Sequence, residues 1–135
     1  MNSVFAANVA AVSGGSSSSE ACEVTVPVTS LGGNLESPAN TCGLGASGDL
    51  NSVTPAALAL QALANNGGAT WTYALGAGSV AINTGASGAC STYDQRHYTR
   101  SGVCDRGAYE ANGTPCTDAD YDGYSLEGGA CGAVD

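Results

Sequence analysis

The chain has 135 residues, 20 of them Gly, and carries 12 acidic residues against three Arg and no Lys, for a formal net charge of −9. That balance excludes a surface built to neutralise phosphates, so neither nucleic acid nor an anionic membrane is an expected partner. No apolar run approaches the ~18 residues of a membrane span, and Met1–Ala7 lacks the basic and apolar regions of a signal peptide.

In chain order, Asn2–Ala10 reads as a short strand and turn around Val4 and Phe5. Gly14–Ser19 reads as a flexible Gly/Ser loop. Glu23–Ser30 has the clearest strand pattern, with Val24, Val26 and Val28 alternating with Glu23, Thr25 and Thr29. Pro27 has no amide donor, which puts that strand at an edge or a bulge. Gly32-Gly33-Asn34 is a turn, and Leu35 and Leu44 are expected inward contacts on either side of a loop closed by Cys42. Pro55–Asn66 is the one helical stretch: Thr54 can cap it, Pro55 suits its first position, and Asn65-Asn66-Gly67-Gly68 ends it. Trp71, Tyr73 and Leu75 alternate as a strand, as do Val80 and Ile82, and turns and Cys dominate from residue 83 onward. Much of the 43% apolar fraction is Ala, which buries little area. A core this thin calls for disulfides, a metal or a neighbouring domain.

The six Cys are Cys22, Cys42, Cys90, Cys104, Cys116 and Cys131. None forms a C-x-x-C pair and there is a single His, so zinc-site spacing is absent. Disulfides are the better reading than free buried thiols, and they imply an oxidising compartment. The nearest-neighbour set 22–42, 90–104 and 116–131 is favoured because each pair brackets its own polar, turn-rich segment. Each such loop contributes roughly 3 kcal/mol in the chain-entropy view.

A series of blocks then carries a family resemblance. They are Asn2-Ser-Val-Phe-Ala, Val28-Thr-Ser-Leu-Gly-Gly-Asn-Leu35, Cys42-Gly-Leu, Asn65-Asn-Gly-Gly-Ala-Thr-Trp-Thr-Tyr-Ala-Leu75, Gly78-Ser-Val-Ala-Ile-Asn-Thr-Gly85, Asp94-Gln-Arg, Arg100, and Cys104-Asp-Arg-Gly-Ala-Tyr-Glu110. In order and spacing the series resembles the C-terminal end of secreted bacterial right-handed parallel β-helix proteins, the choice-of-anchor Q or polymorphic outer-membrane-like group. His97 stands where that family usually has Gly, and Arg106 where it usually has an aliphatic residue. The resemblance implies a mainly β fold: the terminal coil and capping region of a right-handed parallel β-helix, loop-rich and disulfide-stapled, with one short helix. Residues 1–30 would hold the last coil and the Gly/Ser loop, 31–110 the C-terminal cap, and 111–135 an acidic repeat. The expected partners are the upstream β-helix coils of a longer parent chain, together with a surface glycan or protein. An open β-helix end leaves unpaired backbone and apolar interior, which a polar, loop-rich terminal unit has to cover.

Two clusters are candidates for chemistry. Asp118-Ala-Asp120-Tyr-Asp122-Gly123-Tyr124 places carboxylates at every second position, Gly123 permits the sharp turn, and the Tyr124 carbonyl adds an oxygen. Hard oxygen donors select Ca²⁺. The twelfth loop position, where an EF-hand needs Glu, is Gly129, so the run instead resembles a thrombospondin type 3-like calcium repeat, cut short, with Glu127 or Asp135 as further ligands. A solvated acidic tail is the plain alternative.

The second cluster is Asp94, Gln95, Arg96 and His97 with Arg100, Asp105, Tyr109 and Glu110. Asp94, His97 and Asp105 could serve as acid–base groups of a polysaccharide-cleaving enzyme. Alternatively, Arg96 and Arg100 pair with Asp94, Asp105 or Glu110 to hold the loop, as Arg forks do with carboxylates, and this structural reading is preferred. No G-x-S-x-G elbow supports a serine nucleophile. Trp71 and Tyr73, which could stack on sugars, are expected to fill the core instead. Asn112-Gly-Thr114 is a weak glycosylation sequon. The sequence therefore reads as a non-enzymatic, extracellular or cell-surface structural module of an adhesin-like protein. A fragment of a carbohydrate-active enzyme and a glycan- or protein-binding module are the alternatives.

Overall fold

The computed structural model describes residues 2–6, 21, 22, 28–117, 124, 125, 131, 133 and 134. The expected Gly14–Ser19 loop and most of the expected Glu23–Ser30 strand lie outside the described residues. The described end of that strand, residues 28–30, is irregular, with Val28 40% exposed.

Short strands, one helical turn, long irregular stretches and three disulfides make up the molecule. Strand β1 (Val4–Ala6) pairs in parallel with β2 (Leu35–Ser37), in the register Val4↔Leu35, Phe5↔Glu36 and Ala6↔Ser37. Leu50 forms a further parallel bridge to Leu35. Leu35 donates to the Ser3 carbonyl, Leu50 to the Asn34 carbonyl, Glu36 to the Leu50 carbonyl and Val53 to the Glu36 carbonyl, at 2.8–3.0 Å. Three passes of the chain thus stack side by side in one direction, and Leu35 is completely buried between the half-buried Val4 and Leu50.

The helix α1 (Pro55–Leu58) starts as expected: Thr54 Oγ accepts from the Ala57 N–H at 3.2 Å, and Pro55 fills the first turn. It does not run to Asn66. Ala59 turns left-handed at φ 51°, and the chain continues as strand β3 (Leu60–Ala64), antiparallel to β4 (Thr72–Leu75). The Ala/Leu run has good helix propensity, but it has no charged pairs to hold an isolated helix. Its backbone pairs with β4 instead, a tertiary override of local preference. The orphan carbonyls of α1 are taken by the next segment: Gly76 and Val80 N–H donate to Ala59 and Ala57, and Ser79 Oγ donates to Leu58 at 2.5 Å. Val80 and Ile82 consequently lie in turns rather than in a strand.

Leu35, Leu58, Leu75 and Ala81 form the buried apolar core, flanked by half-buried Val53, Leu60 and Tyr109 among others. Leu44 is buried nearby as expected. The disulfides are Cys22–Cys42, Cys90–Cys104 and Cys116–Cys131, the nearest-neighbour set. They fit an oxidising environment. A two-residue strand β5 (Tyr124–Ser125) pairs in parallel with β6 (Ala133–Val134). Among the described residues, no helix is long and apolar enough to cross a membrane.

Candidate functional site

The segment from Asp94 to Glu110 concentrates the charged residues. It has almost no regular secondary structure, so its carbonyls and amides need side-chain partners. Asp94 is buried and accepts N–H bonds from Arg96 at 2.7 Å, Tyr98 at 3.1 Å and Glu110 at 2.9 Å. The Arg96 guanidinium meets the same carboxylate, with Nε at 2.9 Å and Nη2 at 2.6 Å from Oδ2. Arg96 also donates to the carbonyls of Glu110 at 2.7 Å and Asn66 at 3.2 Å. Its guanidinium carbon lies 3.9 Å from the centre of the Tyr98 ring and 3.7 Å from that of Tyr109, a double cation–π contact.

Arg100 repeats the pattern. It pairs with Glu110 at 2.9 Å and donates to the carbonyls of Asp105 at 3.1 Å and Gly107 at 2.7 Å. Glu110 takes a further bond from the Asp105 N–H at 2.9 Å. Burial pushes the Glu110 carboxyl above its ordinary value, and the neighbouring Asp105 charge adds to this. The amide donor and Arg100 oppose the rise without cancelling it. Asp105 is buried too, but it forms no ion pair. Its oxygens accept from the Asn83 N–H at 2.8 Å and the Ala111 N–H at 2.6 Å. Asp94, Arg96, Arg100, Asp105 and Glu110 are thus brought together, with pairing limited to Asp94–Arg96 and Arg100–Glu110.

His97 sits apart from the two aspartates proposed as acid–base partners. Its backbone is left-handed at φ 65°, its ring lies against Tyr93 with centroids 4.3 Å apart, and Nδ1 is 3.4 Å from the Cys116 carbonyl oxygen.

Several anchoring residues escaped the sequence reading. Arg106 is buried and donates to the carbonyls of Asn34 at 2.9 Å and Gly48 at 2.8 Å and to Thr84 Oγ1 at 3.0 Å, joining three loops distant in sequence. Burial lowers its pKa, against the nearby Asp49 charge. Asp49 takes N–H bonds from Asn34 and Ala46, both at 2.9 Å. Burial raises its carboxyl, but hydrogen bonds from Ser30, Asn34 and Ala46 together hold it below its ordinary value. Glu36 is completely buried without a cation. Its carboxylate accepts from the Thr41 N–H and hydroxyl and from the Cys42 N–H. Asn2 spans 84 residues to accept from the Ala86 N–H at 2.6 Å. The only available signal for these was negative: lone polar residues among Gly and Ala, with nothing to name their partners.

Beside β1 lies an open, largely apolar cleft of about 890 Å³ lined by Val4, Ala6, Leu60, Leu63, Trp71 and Tyr73, among others. Trp71 is 63% exposed and Tyr73 53%, which corrects the expectation that both fill the core. Tyr73 pairs with Leu63 across the β3–β4 ribbon, and beyond the buried Leu75 the ribbon carries its apolar face out of the core.

Of the residues proposed for calcium, Asp118, Asp120, Asp122 and Glu127 lie outside the described residues, and Tyr124 is described through its backbone in β5. Cys116 and Cys131 bracket the run with their Cα atoms 5.5 Å apart. Among the described residues, no three His, Cys, Asp or Glu side chains converge as a metal site. No protein-family model, curated protein or solved structure matches the chain.

Proposed function

We propose that the chain is a non-enzymatic structural module of an extracellular or cell-surface protein, closing one end of a parallel β-helix. The observation that carries this reading is the stack of three parallel chain passes at Val4, Leu35 and Leu50, with Leu35 sealed inside it. A β-helix is made of such rungs. Two further features support it. The left-handed backbone at His97 suits a position that the resembling family fills with Gly. The carboxylates and guanidinium groups from Asp94 to Glu110 are occupied by one another and by loop amides and carbonyls, the work of a clasp rather than of proton transfer.

The reading extends to a calcium-stabilised tail. Asp118, Asp120, Asp122 and Glu127 supply hard oxygen donors suited to Ca²⁺, with the Tyr124 carbonyl as a further candidate, and the Cys116–Cys131 bridge closes the chain around them. A bound ion would stabilise the folded tail by mass action.

Hydrogen exchange of the oxidised protein tests the stack. Slow exchange at the Leu35, Glu36, Leu50 and Val53 amides is expected, and fast exchange at all four would remove the basis of the reading. Polysaccharide cleavage abolished by Asp94→Asn in a still-folded protein would replace it with an enzyme. Calorimetric calcium titration, with an Asp120→Asn, Asp122→Asn double variant as control, tests the tail. Binding of about one ion per chain, lost in the variant, is expected at millimolar calcium. No heat in that range would mean a solvated acidic loop.

A further inference from the structure

The geometry points to the outer edge of β1 and the cleft beside it as a site of strand addition, taking an extended, non-acidic polypeptide segment in parallel with Val4–Ala6. The inference rests on the end-module reading and names the contact through which that module joins a partner.

The backbone supplies the first argument. In a parallel ladder, successive residues direct their N–H and C=O groups to opposite sides. The Leu35 N–H bonds to the Ser3 carbonyl at 2.8 Å, so Ser3 and Phe5 serve β2, and the polar groups of Val4 and Ala6 point the other way. Gly107 donates to the Asn2 carbonyl at 2.7 Å, covering the start of that outer edge. Among the described residues, no hydrogen bond reaches the outer groups of Val4 or Ala6. Unpaired strand groups of this kind are a template for a further strand.

The side chains supply the second. The same edge lines the 890 Å³ cleft, whose far wall is the exposed apolar end of the β3–β4 ribbon at Leu63, Trp71 and Tyr73. A strand added to β1 would turn alternate side chains toward that wall. The register already runs Leu50, Leu35, Val4, and one more rung continues it.

Charge selects the occupant. The chain carries −9 and its three Arg side chains are buried, so a second copy would meet like charge and an acidic segment has no cation to pair with. A sugar would leave the backbone groups of β1 without the evenly spaced partners that a strand provides.

The probe is a capped peptide, Lys-Asn-Ser-Val-Phe-Ala-Asn-Lys, which repeats the β1 sequence between lysines. With the oxidised full chain, saturable binding at about 0.1–1 mM is expected, slowing exchange at the Val4 and Ala6 amides by about tenfold or more. A Leu63→Asn, Trp71→Asn variant, altered at two exposed positions, should bind at least about tenfold more weakly while Leu35 and Leu50 keep their exchange rates. The inference is overturned if the peptide leaves Val4 and Ala6 unchanged or binds the variant equally well. It is also overturned if those amides are already protected in the free chain, or if sedimentation shows that edge buried in a dimer. Fast exchange at Leu35 and Leu50 in the free chain would overturn the end-module reading as well. Slow exchange there with an unresponsive β1 edge overturns this inference alone.

Discussion

The rung stack at Val4, Leu35 and Leu50 and the loop cluster from Asp94 to Glu110 are both buried, yet they are built from different materials. In the stack, backbone groups pair with one another and leave an aliphatic interior, sealed by Leu35. In the cluster the backbone is irregular, and guanidinium groups do the pairing. Arg96 lies between two Tyr rings and reaches Asp94, Asn66 and Glu110, while Arg100 gathers Asp105, Gly107 and Glu110. A chain short of large aliphatic residues can fill an interior this way, because one planar cation covers apolar ring surface and satisfies several loop carbonyls at once. Such an interior has no graded response to damage. Losing one member strands the rest as buried, unpaired charges and carbonyls.

The comparison predicts a hierarchy of losses. Arg96→Ala should be the most destructive, costing about 3–5 kcal/mol because Asp94 is left buried without its cation. Arg96→Lys should recover little of this, since a single ammonium cannot reach three groups and lie between two rings. Denaturant unfolding decides, and a loss under about 1 kcal/mol would mean the cluster is solvated in solution. Leu35→Ala should cost somewhat less, about 3 kcal/mol, as a cavity between rungs. Its exchange signature should spread to Glu36 and Leu50 and leave the Asp94–Glu110 amides slow.

The smallest effect is on pH dependence, where the two regions act in opposite directions. Glu110 holds its proton more tightly folded than unfolded, so its contribution falls as pH rises through the ordinary value of 4.5 toward the folded one. Asp49, which caps the turn leading into β2 at Asn34, has a lowered value. Its contribution is present above 3.8 and is lost as pH falls through the folded value. Unfolding curves across this range should show Asp49→Asn flattening the acid side, and Glu110→Gln flattening the decline above 4.5. An exchange of the two effects would contradict the assignment.

The parts legible in the sequence were those carried by local chemistry. Thr54 and Pro55 marked the start of α1 through cap geometry, Leu35 and Leu44 stood out as inward leucines, and the Asp94–Glu110 composition announced Arg–carboxylate pairing. What failed depended on distant partners. Nothing local says that Ala59 turns left-handed, because the reason is β4 arriving from residues 72–75 to pair with Leu60–Ala64. Trp71 and Tyr73 alternate correctly for a strand, but alternation fixes only that they share a face, not that the face is covered. Glu36 and Arg106 read as ordinary surface charges, and only the approach of Thr41, Cys42, Gly48 and Thr84 makes them interior. The acid run from Asp118 to Asp122 lies outside the described residues, and calorimetry is its arbiter.

The inward placement of the arginines also bears on survival outside a cell. A trypsin-like protease needs an Arg or Lys that it can draw into a deep pocket, on backbone it can extend. This chain has no Lys, and its three Arg side chains are enclosed and tied to carbonyls of neighbouring loops. Cleavage must therefore await an opening of the fold, and its rate follows the population of opened molecules rather than the exposure of a loop. The same property makes digestion a direct reporter on the clasp, since any variant that loosens Arg96 or Arg100 presents the protease with its first substrate site.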